Sequence, residues 1–124
     1  MASIDTERSA EITVKRSRFI ALARPIATDV ELKRWVAERR RTIRRARHHC
    51  WAARFHDDTG RLVEHARDDG EVGRPGLKLL ELLRHRDLEG VILVSRIFGG
   101  IKLGPAGVGR AFRQVGQAAL LGDG

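Results

Sequence analysis

Asp68, Asp69 and Glu71 place three carboxylates within the four residues of the stretch DDGE. Such a cluster could hold Mg²⁺ or Ca²⁺. The spacing of an EF-hand is absent, however, and Asp-Gly is also an ordinary turn dipeptide. The three acids are therefore expected to serve as turn and ion-pair residues, with Arg67, Arg74 or Arg96 as partners. A second stretch, RIFGGIKLGPAGVGRAF, carries Gly99, Gly100, Gly104 and Gly107 around Lys102. A strand, a glycine turn and a helix start make a natural anion site, because free N–H groups and the helix dipole both favour negative charge. Gly99 and Gly104 stand five apart as in a P-loop, but Pro105 and Ala106 occupy the places of its Lys and Ser/Thr, and GxGxxG is absent too. Close packing of a helix on a sheet would demand the same glycines. In RHHC, His48 and Cys50 share one face of a strand and His49 takes the other. That pattern admits a Cys–His dyad or, more simply, a small buried thiol. Finally, Glu38 is the only acid between Lys33 and Arg47. Arg40, Arg41, Arg44, Arg45 and Arg47, with Lys102, form the expected contact set for a phosphate backbone, a mode with little base specificity.

The elements that position these residues are legible in outline. Glu11–Ile26 reads as a long strand bent near Lys15–Ser17. A helix follows, capped by Thr28 or Asp29, with Leu32, Trp35, Val36 and Ile43 on its apolar face. Its other face carries Lys33, Arg34, Arg40, Arg41, Arg44 and Arg45. Arg47–His56 and Arg61–Ala66 read as a hairpin, and Arg67–Gly76 as a loop. Leu77–Arg86 has helical spacing. The continuous apolar run Gly90–Phe98 is the kind of strand that is buried on both faces. Ala106–Leu121 closes the chain as a helix. The order β-α-β-β-α-β-α predicts an α+β domain, with helices on one face of a four-stranded, mostly antiparallel sheet.

The chain has 124 residues, enough for one domain with an ordinary core. That domain is expected over residues 11–121, after a flexible segment at 1–10. Its 24 Lys and Arg exceed its 16 Asp and Glu, giving a net charge of +8, which points to polyanionic partners. A single cysteine, Cys50, excludes an internal disulfide. No signal-peptide core and no apolar run of about 20 residues is present, so a cytoplasmic protein without membrane contact is expected.

The stretches KRSRFIA (15–21), ARHHCWAA (46–53), DDGE (68–71) and VSRIFGGIKLGPAG (94–107) occur together in one order and spacing. In this they resemble the IMPACT family, also called YigZ-like, and specifically its N-terminal domain. The resemblance covers about Glu11 to Leu121. It implies a fold like domain 2 of ribosomal protein S5, no established catalytic activity, and a role in translational control under starvation stress. Eukaryotic members act there by competing for a ribosome-associated activator of a starvation-responsive kinase. Bacterial members resemble ribosome- or nucleic-acid-associated proteins and usually carry a second, ferredoxin-like domain. Many also continue DDGE with a GTAG-containing loop, whereas this chain reads VGRPGL.

The leading expectation is a non-enzymatic regulatory module that meets RNA, the ribosome or a translation-associated protein through its basic face. No catalytic residue, metal ligand or cofactor is assigned. One alternative is an enzyme acting on a phosphorylated small molecule, with Gly99, Gly100 and Lys102 on phosphate and Asp69 or Glu71 on metal or as base. Another is a protein-only adaptor. The first alternative requires the carboxylates and glycine loop to line a concave pocket.

Overall fold

A computed structural model describes residues 2–122. Six strands form one sheet: β1 (Ala2–Ser3), β2 (Arg8–Val14), β3 (Ser17–Arg24), β4 (His48–His56), β5 (Leu62–Arg67) and β6 (Leu88–Ile97). Three helices accompany them: α1 (Asp29–Thr42), α2 (Pro75–His85) and α3 (Gly104–Leu121). The strand order is β2-β3-β6-β4-β5, antiparallel throughout, with β1 added parallel to the start of β6.

The α+β class matches the expectation; the strand count does not. The long bent strand is two strands, β2 and β3, turned back on each other at Lys15–Arg16 with Val14 opposite Ser17. Lys15 (φ 45°) and Arg16 (φ 69°) both occupy the left-handed region, the pattern of a type I′ hairpin turn. That turn normally announces itself through Asn-Gly or Asp-Gly, and here neither residue is a turn former. Within the segment expected to be flexible, Ala2–Ser3 pairs with β6, Ile4 is buried, and β2 begins at Arg8.

The helices also do not share a face. Leu79, Leu83, Val108, Phe112 and Val115 pack with Phe19, Ala21, Cys50, Ala52, Ile92 and Val94. Leu32, Trp35 and Val36 of α1 pack instead with Ala53, Phe55, Val91 and Leu93, the alternate residues of the same strands. Because successive side chains point to opposite faces of a sheet, α1 lies on one face and α2 with α3 on the other. Strand β6 is thus buried from both sides, as its apolar run predicted.

This arrangement has a topological consequence. α1 links the parallel strands β3 and β4 across β6, and α2 links the parallel strands β5 and β6 across β4. The two crossovers are related by a half-turn in the sheet plane, so equal handedness would put both helices on one face. Since they occupy opposite faces, one crossover is left-handed. Right-handed connections make up about 98% of such crossovers, so the chain departs here from the usual path.

Helix α1 is capped by Thr28, whose Oγ1 accepts from the Glu31 N–H at 3.1 Å. It ends at Thr42, short of Arg44 and Arg45, because Val36 is its last buried position and the final turn offers no apolar side chain to hold it on the sheet. Helices α2 and α3 run side by side in the same direction. Gly116 permits their contact: a β-carbon there would lie 2.8 Å from Leu79 Cδ2 and 3.0 Å from Leu82 Cδ1.

The glycine loop is constrained in two different ways. A β-carbon on Gly99 would collide with the Arg16 carbonyl, inside the β2–β3 turn. Gly100 has open space around it but sits at φ +90°. Gly99→Ala is expected to cost about 1–3 kcal/mol, as overpacking does. Gly100→Ala should cost about 1–2 kcal/mol through its backbone alone. Urea unfolding of both variants checks this, and Gly100→Asn should recover part of the second loss, because Asn tolerates positive φ.

Candidate polyanion-contacting face

Strand pairing brings four loops to one end of the sheet. His48 opposes Arg96, Arg18 opposes Ile97, and Trp51 opposes Arg67. The start of β4, the end of β6, the β2–β3 turn and the end of β5 therefore lie together. From this end emerge Lys15–Arg16, Ile43–Arg47, the acidic loop Asp68–Arg74 and the glycine loop Phe98–Leu103.

The acids of the second loop face inward. Asp68 Oδ1 accepts from the Gly76 N–H at 2.8 Å, and its carbonyl accepts from the Cys50 thiol at 3.1 Å. Asp69 Oδ2 accepts from the His49 N–H at 2.8 Å and from Arg40 Nη1 at 2.9 Å. Burial pushes the Asp69 carboxyl up, but the bonds from Arg40 and His49 outweigh it and hold the group below the usual carboxylate range. Glu71 pairs with Arg96 at 3.2 Å; their side chains are only 4% and 8% exposed. Among the described residues, no group of three His, Cys, Asp or Glu side chains could hold a metal ion.

Arg96 joins the acidic loop to the glycine loop. Besides Glu71, it reaches Ser17 Oγ at 3.4 Å, and its guanidinium lies 5.4 Å from the Phe19 ring centroid and 5.5 Å from that of Phe98. Ser17 Oγ also accepts from the Gly99 N–H at 3.2 Å. Further along, a β-carbon on Gly73 would collide with the Pro105 carbonyl, so the acidic loop also rests on the first turn of α3. Carboxylates and glycine loop do meet, but through a buried arginine and backbone packing. Asp68, Asp69 and Glu71 each accept from a donor within the fold.

The expected cations divide. Arg40 is bonded to Asp69 and so helps to close the loop. Arg41 lies on α1, while Arg44, Arg45 and Arg47 lie on the loop after it instead of on the helix; all four are exposed. Lys102 is exposed on the glycine loop. Gly104 begins α3 at φ +73°, and Gly107 sits one turn into it, where an added β-carbon would lie 3.3 Å from Leu103 Cβ. Sequence reasoning misses Lys15 and Arg16, exposed on the neighbouring turn, because they read as mid-strand residues. It also gives Arg96 only as one possible partner of the acids, without the weight that this side chain bears.

Of the RHHC residues, His49 and Cys50 are buried, and His48 Nδ1 lies 2.8 Å from the Asp69 carbonyl oxygen. Cys50 is fully buried, and burial first, then the charges of Glu71, Asp69 and Asp68, push its thiol well above the usual range. A thiol so disfavoured as thiolate is a poor nucleophile. His49 Nδ1 lies 2.7 Å from Ser95 Oγ in the core. Burial and the Arg40 charge lower the His49 pKa from its ordinary 6.5.

Together these features define a small α+β domain whose acids close its loops and whose cations stay at the rim. The profile of the Impact N-terminal domain matches residues 15–120, and the chain belongs to the IMPACT family. It is 38% identical over 108 residues to an IMPACT family member in the pol 5′ region of Thermus thermophilus, covering 86% of this chain and 56% of that one. It is 35% identical to the IMPACT family member YvyE of Bacillus subtilis over 82% of this chain and 47% of the relative. Protein IMPACT of Bos taurus is 34% identical over 76% of this chain and 30% of its own length. The chain thus spans about half the length of the bacterial relatives. Among solved structures, a hypothetical protein superposes with a TM-score of 0.81 at 30% identity, over 95% of this chain and 58% of that one. The two-domain translational regulator Yih1 shares the fold, with a TM-score of 0.61 at 23% identity over 94% of this chain and 46% of its own.

Two outcomes follow from the buried groups. Glu71→Ala leaves the Arg96 charge buried without its carboxylate, and should cost about 3–5 kcal/mol in urea unfolding; Glu81→Ala, at an exposed pair, should cost less than about 1 kcal/mol. For His49 the folded pKa lies below that of the unfolded chain, so the unfolded state takes up the proton first. Stability is then complete above pH 6.5 and falls as pH drops below it. The melting midpoint should decline as pH falls below about 6.5, and His49→Asn should flatten that decline. Asp69, with its pKa lowered from 3.8, contributes loss only at still lower pH.

Proposed function

We propose that this chain is a non-enzymatic module of translation that contacts RNA, the ribosome or a translation-associated factor through the cationic end of its sheet. The observation that carries this is the division of charge at that end. Asp68, Asp69 and Glu71 spend their acceptors on internal donors, while Lys15, Arg16, Arg41, Arg44, Arg45, Arg47 and Lys102 remain exposed. A surface so arranged offers positive charge that the loop's own carboxylates do not neutralise, which suits a phosphate backbone. The name translational regulator borne by one structural neighbour supports the same process. Kinship with ribosomal protein S5 domain 2, a cytoplasmic site of action and a link to stress responses belong to the same proposal. Among the described residues no helix is long and apolar enough to cross a membrane.

Backbone contact releases counterions. The logarithm of affinity for single-stranded RNA should therefore fall linearly with the logarithm of salt, by roughly 0.7 per phosphate neutralised. Fluorescence anisotropy with two unrelated RNAs at about 50 and 200 mM salt measures the slope. Replacing Arg41, Arg44, Arg45 and Arg47 by Glu should weaken both RNAs alike, since such contacts carry no base information. Lys102→Ala should cost less, because only one charge is lost. No binding at the lower salt would refute direct RNA contact.

A further inference from the structure

The outer surface of α2 and α3, on the opposite face of the sheet from α1, carries a groove that the proposed function does not use. Its first part, of about 650 Å³, lies between the N-terminal halves of the two helices. Leu77, Pro105, Ala106 and Gly109 give it apolar lining, and Arg74, Lys78, Arg110 and Arg113 give it charge. A second part of about 320 Å³ shares Glu81 and Arg113 with the first and continues to His85, Arg86 and Gln117. The one carboxylate lining either part, Glu81, is paired with Arg113 at 3.1 Å. Neither helix has an acid in its first turn to offset the cations. The groove exists because Gly73 and Gly109 bring the two helix starts into contact without side chains to fill the space above them.

We infer that this groove is a docking site for an acidic amphipathic helix of a partner protein. Three observations select that occupant. First, the lining combines apolar surface with a cationic rim, so it fits a ligand that is apolar along one stripe and anionic beside it. A phosphodiester strand would satisfy the rim and leave the apolar lining unmatched, and the lining includes no Phe, Tyr or Trp on which bases could stack, its one ring being His85 beside the second part. Second, the walls are two helices, and the lining contains no strand residue, so no sheet edge is offered. A bound segment must satisfy its own backbone, which a helix does and an extended peptide does not. Third, cations stand one turn apart on both walls: Arg74 at the N-cap of α2 and Lys78 within it, and Arg110 and the Glu81-paired Arg113 on α3. Carboxylates spaced three or four apart on an incoming helix follow the same repeat. The groove follows the 11 residues of α2, about 16 Å, or three turns of such a helix.

The probe is a labelled synthetic peptide of about 18 residues, with Leu at helical i, i+3, i+4, i+7 positions and Glu on the flanks. A scrambled peptide of identical composition and a single-stranded RNA oligonucleotide are the comparisons. The amphipathic peptide should bind the whole chain below about 100 µM, at least about tenfold tighter than the scrambled one. The double variant Lys78→Glu/Arg110→Glu should weaken it at least about tenfold. Ala106→Trp, which fills the floor without changing charge, should do the same, and carries the test alone if the double variant melts early. Replacing Arg41 and Arg44 by Glu should leave peptide binding within about twofold, which separates this surface from the one proposed for RNA. Equal binding of the scrambled peptide would reduce the groove to a charge effect and overturn the inference. So would peptide binding that both groove variants leave intact, or RNA binding that the groove variants abolish while the peptide fails to bind.

Discussion

The pairing of Arg96 with Glu71 is the contact on which the functional end of this domain depends. Arg96 stands on β6, the strand buried from both sides, so its guanidinium emerges where water is scarce. A buried cation must be compensated, and Glu71 is the carboxylate that the loop after β5 brings to it. The same guanidinium lies near the rings of Phe19 and Phe98 and reaches Ser17. One side chain thus ties together the acidic loop, the β2–β3 turn and the glycine loop. The net energy of such a pair is small compared with the cost of breaking it. Its effect is to fix loop positions more than to add stability. Gly99 belongs to the same constraint, since only a residue without a β-carbon lets the β6 exit lie against Arg16.

Fixing the loops also decides which charges remain outside. Each acid of DDGE is consumed by a neighbour: Asp68 by the start of α2, Asp69 by β4 and Arg40, and Glu71 by β6. A cluster that looks like a cation site in one dimension is a set of three separate clasps in three. The cations left at the rim repel one another. That repulsion is tolerable because they are exposed, where charges more than about 8 Å apart are largely screened at physiological salt.

Much of this is legible in the sequence alone, and the failures have physical causes. The run through β6 identifies a strand covered on both faces, and the motif set identifies the family. The α1 pattern shows that Leu32, Trp35 and Val36 are buried, but periodicity cannot say against which side of a sheet. That choice depends on crossover handedness, a property of the whole chain path. The β2–β3 turn is invisible because Lys15 and Arg16 hold positive φ without any of the residue types that favour it. Arg96 is visible as a charge at the end of an apolar run, yet nothing local tells a buried arginine from one at the surface. Likewise the cations of α2 and α3 stand at helical spacing in the sequence, but the groove between them requires knowing that the helices run parallel.

That parallel arrangement follows from the sheet. β5 and β6 run in the same direction, so α2 starts at the end of the sheet where β6 finishes and where α3 begins. Both helix N-termini therefore lie beside the glycine and acidic loops. Aligned peptide dipoles add about half a positive charge at each such terminus, in the same region as Arg44, Arg45, Arg47 and Lys102. Had α2 entered from the other end, its dipole would have offset that of α3. The topology instead collects backbone and side-chain positive charge at one end, with α1 on one face and the cation-lined groove on the other. A single bulky polyanion at the sheet end would cover the mouth of the groove as well. A helix lying in the groove would leave the α1 side open. The two surfaces are therefore coupled through the shared end and separable through their opposite faces.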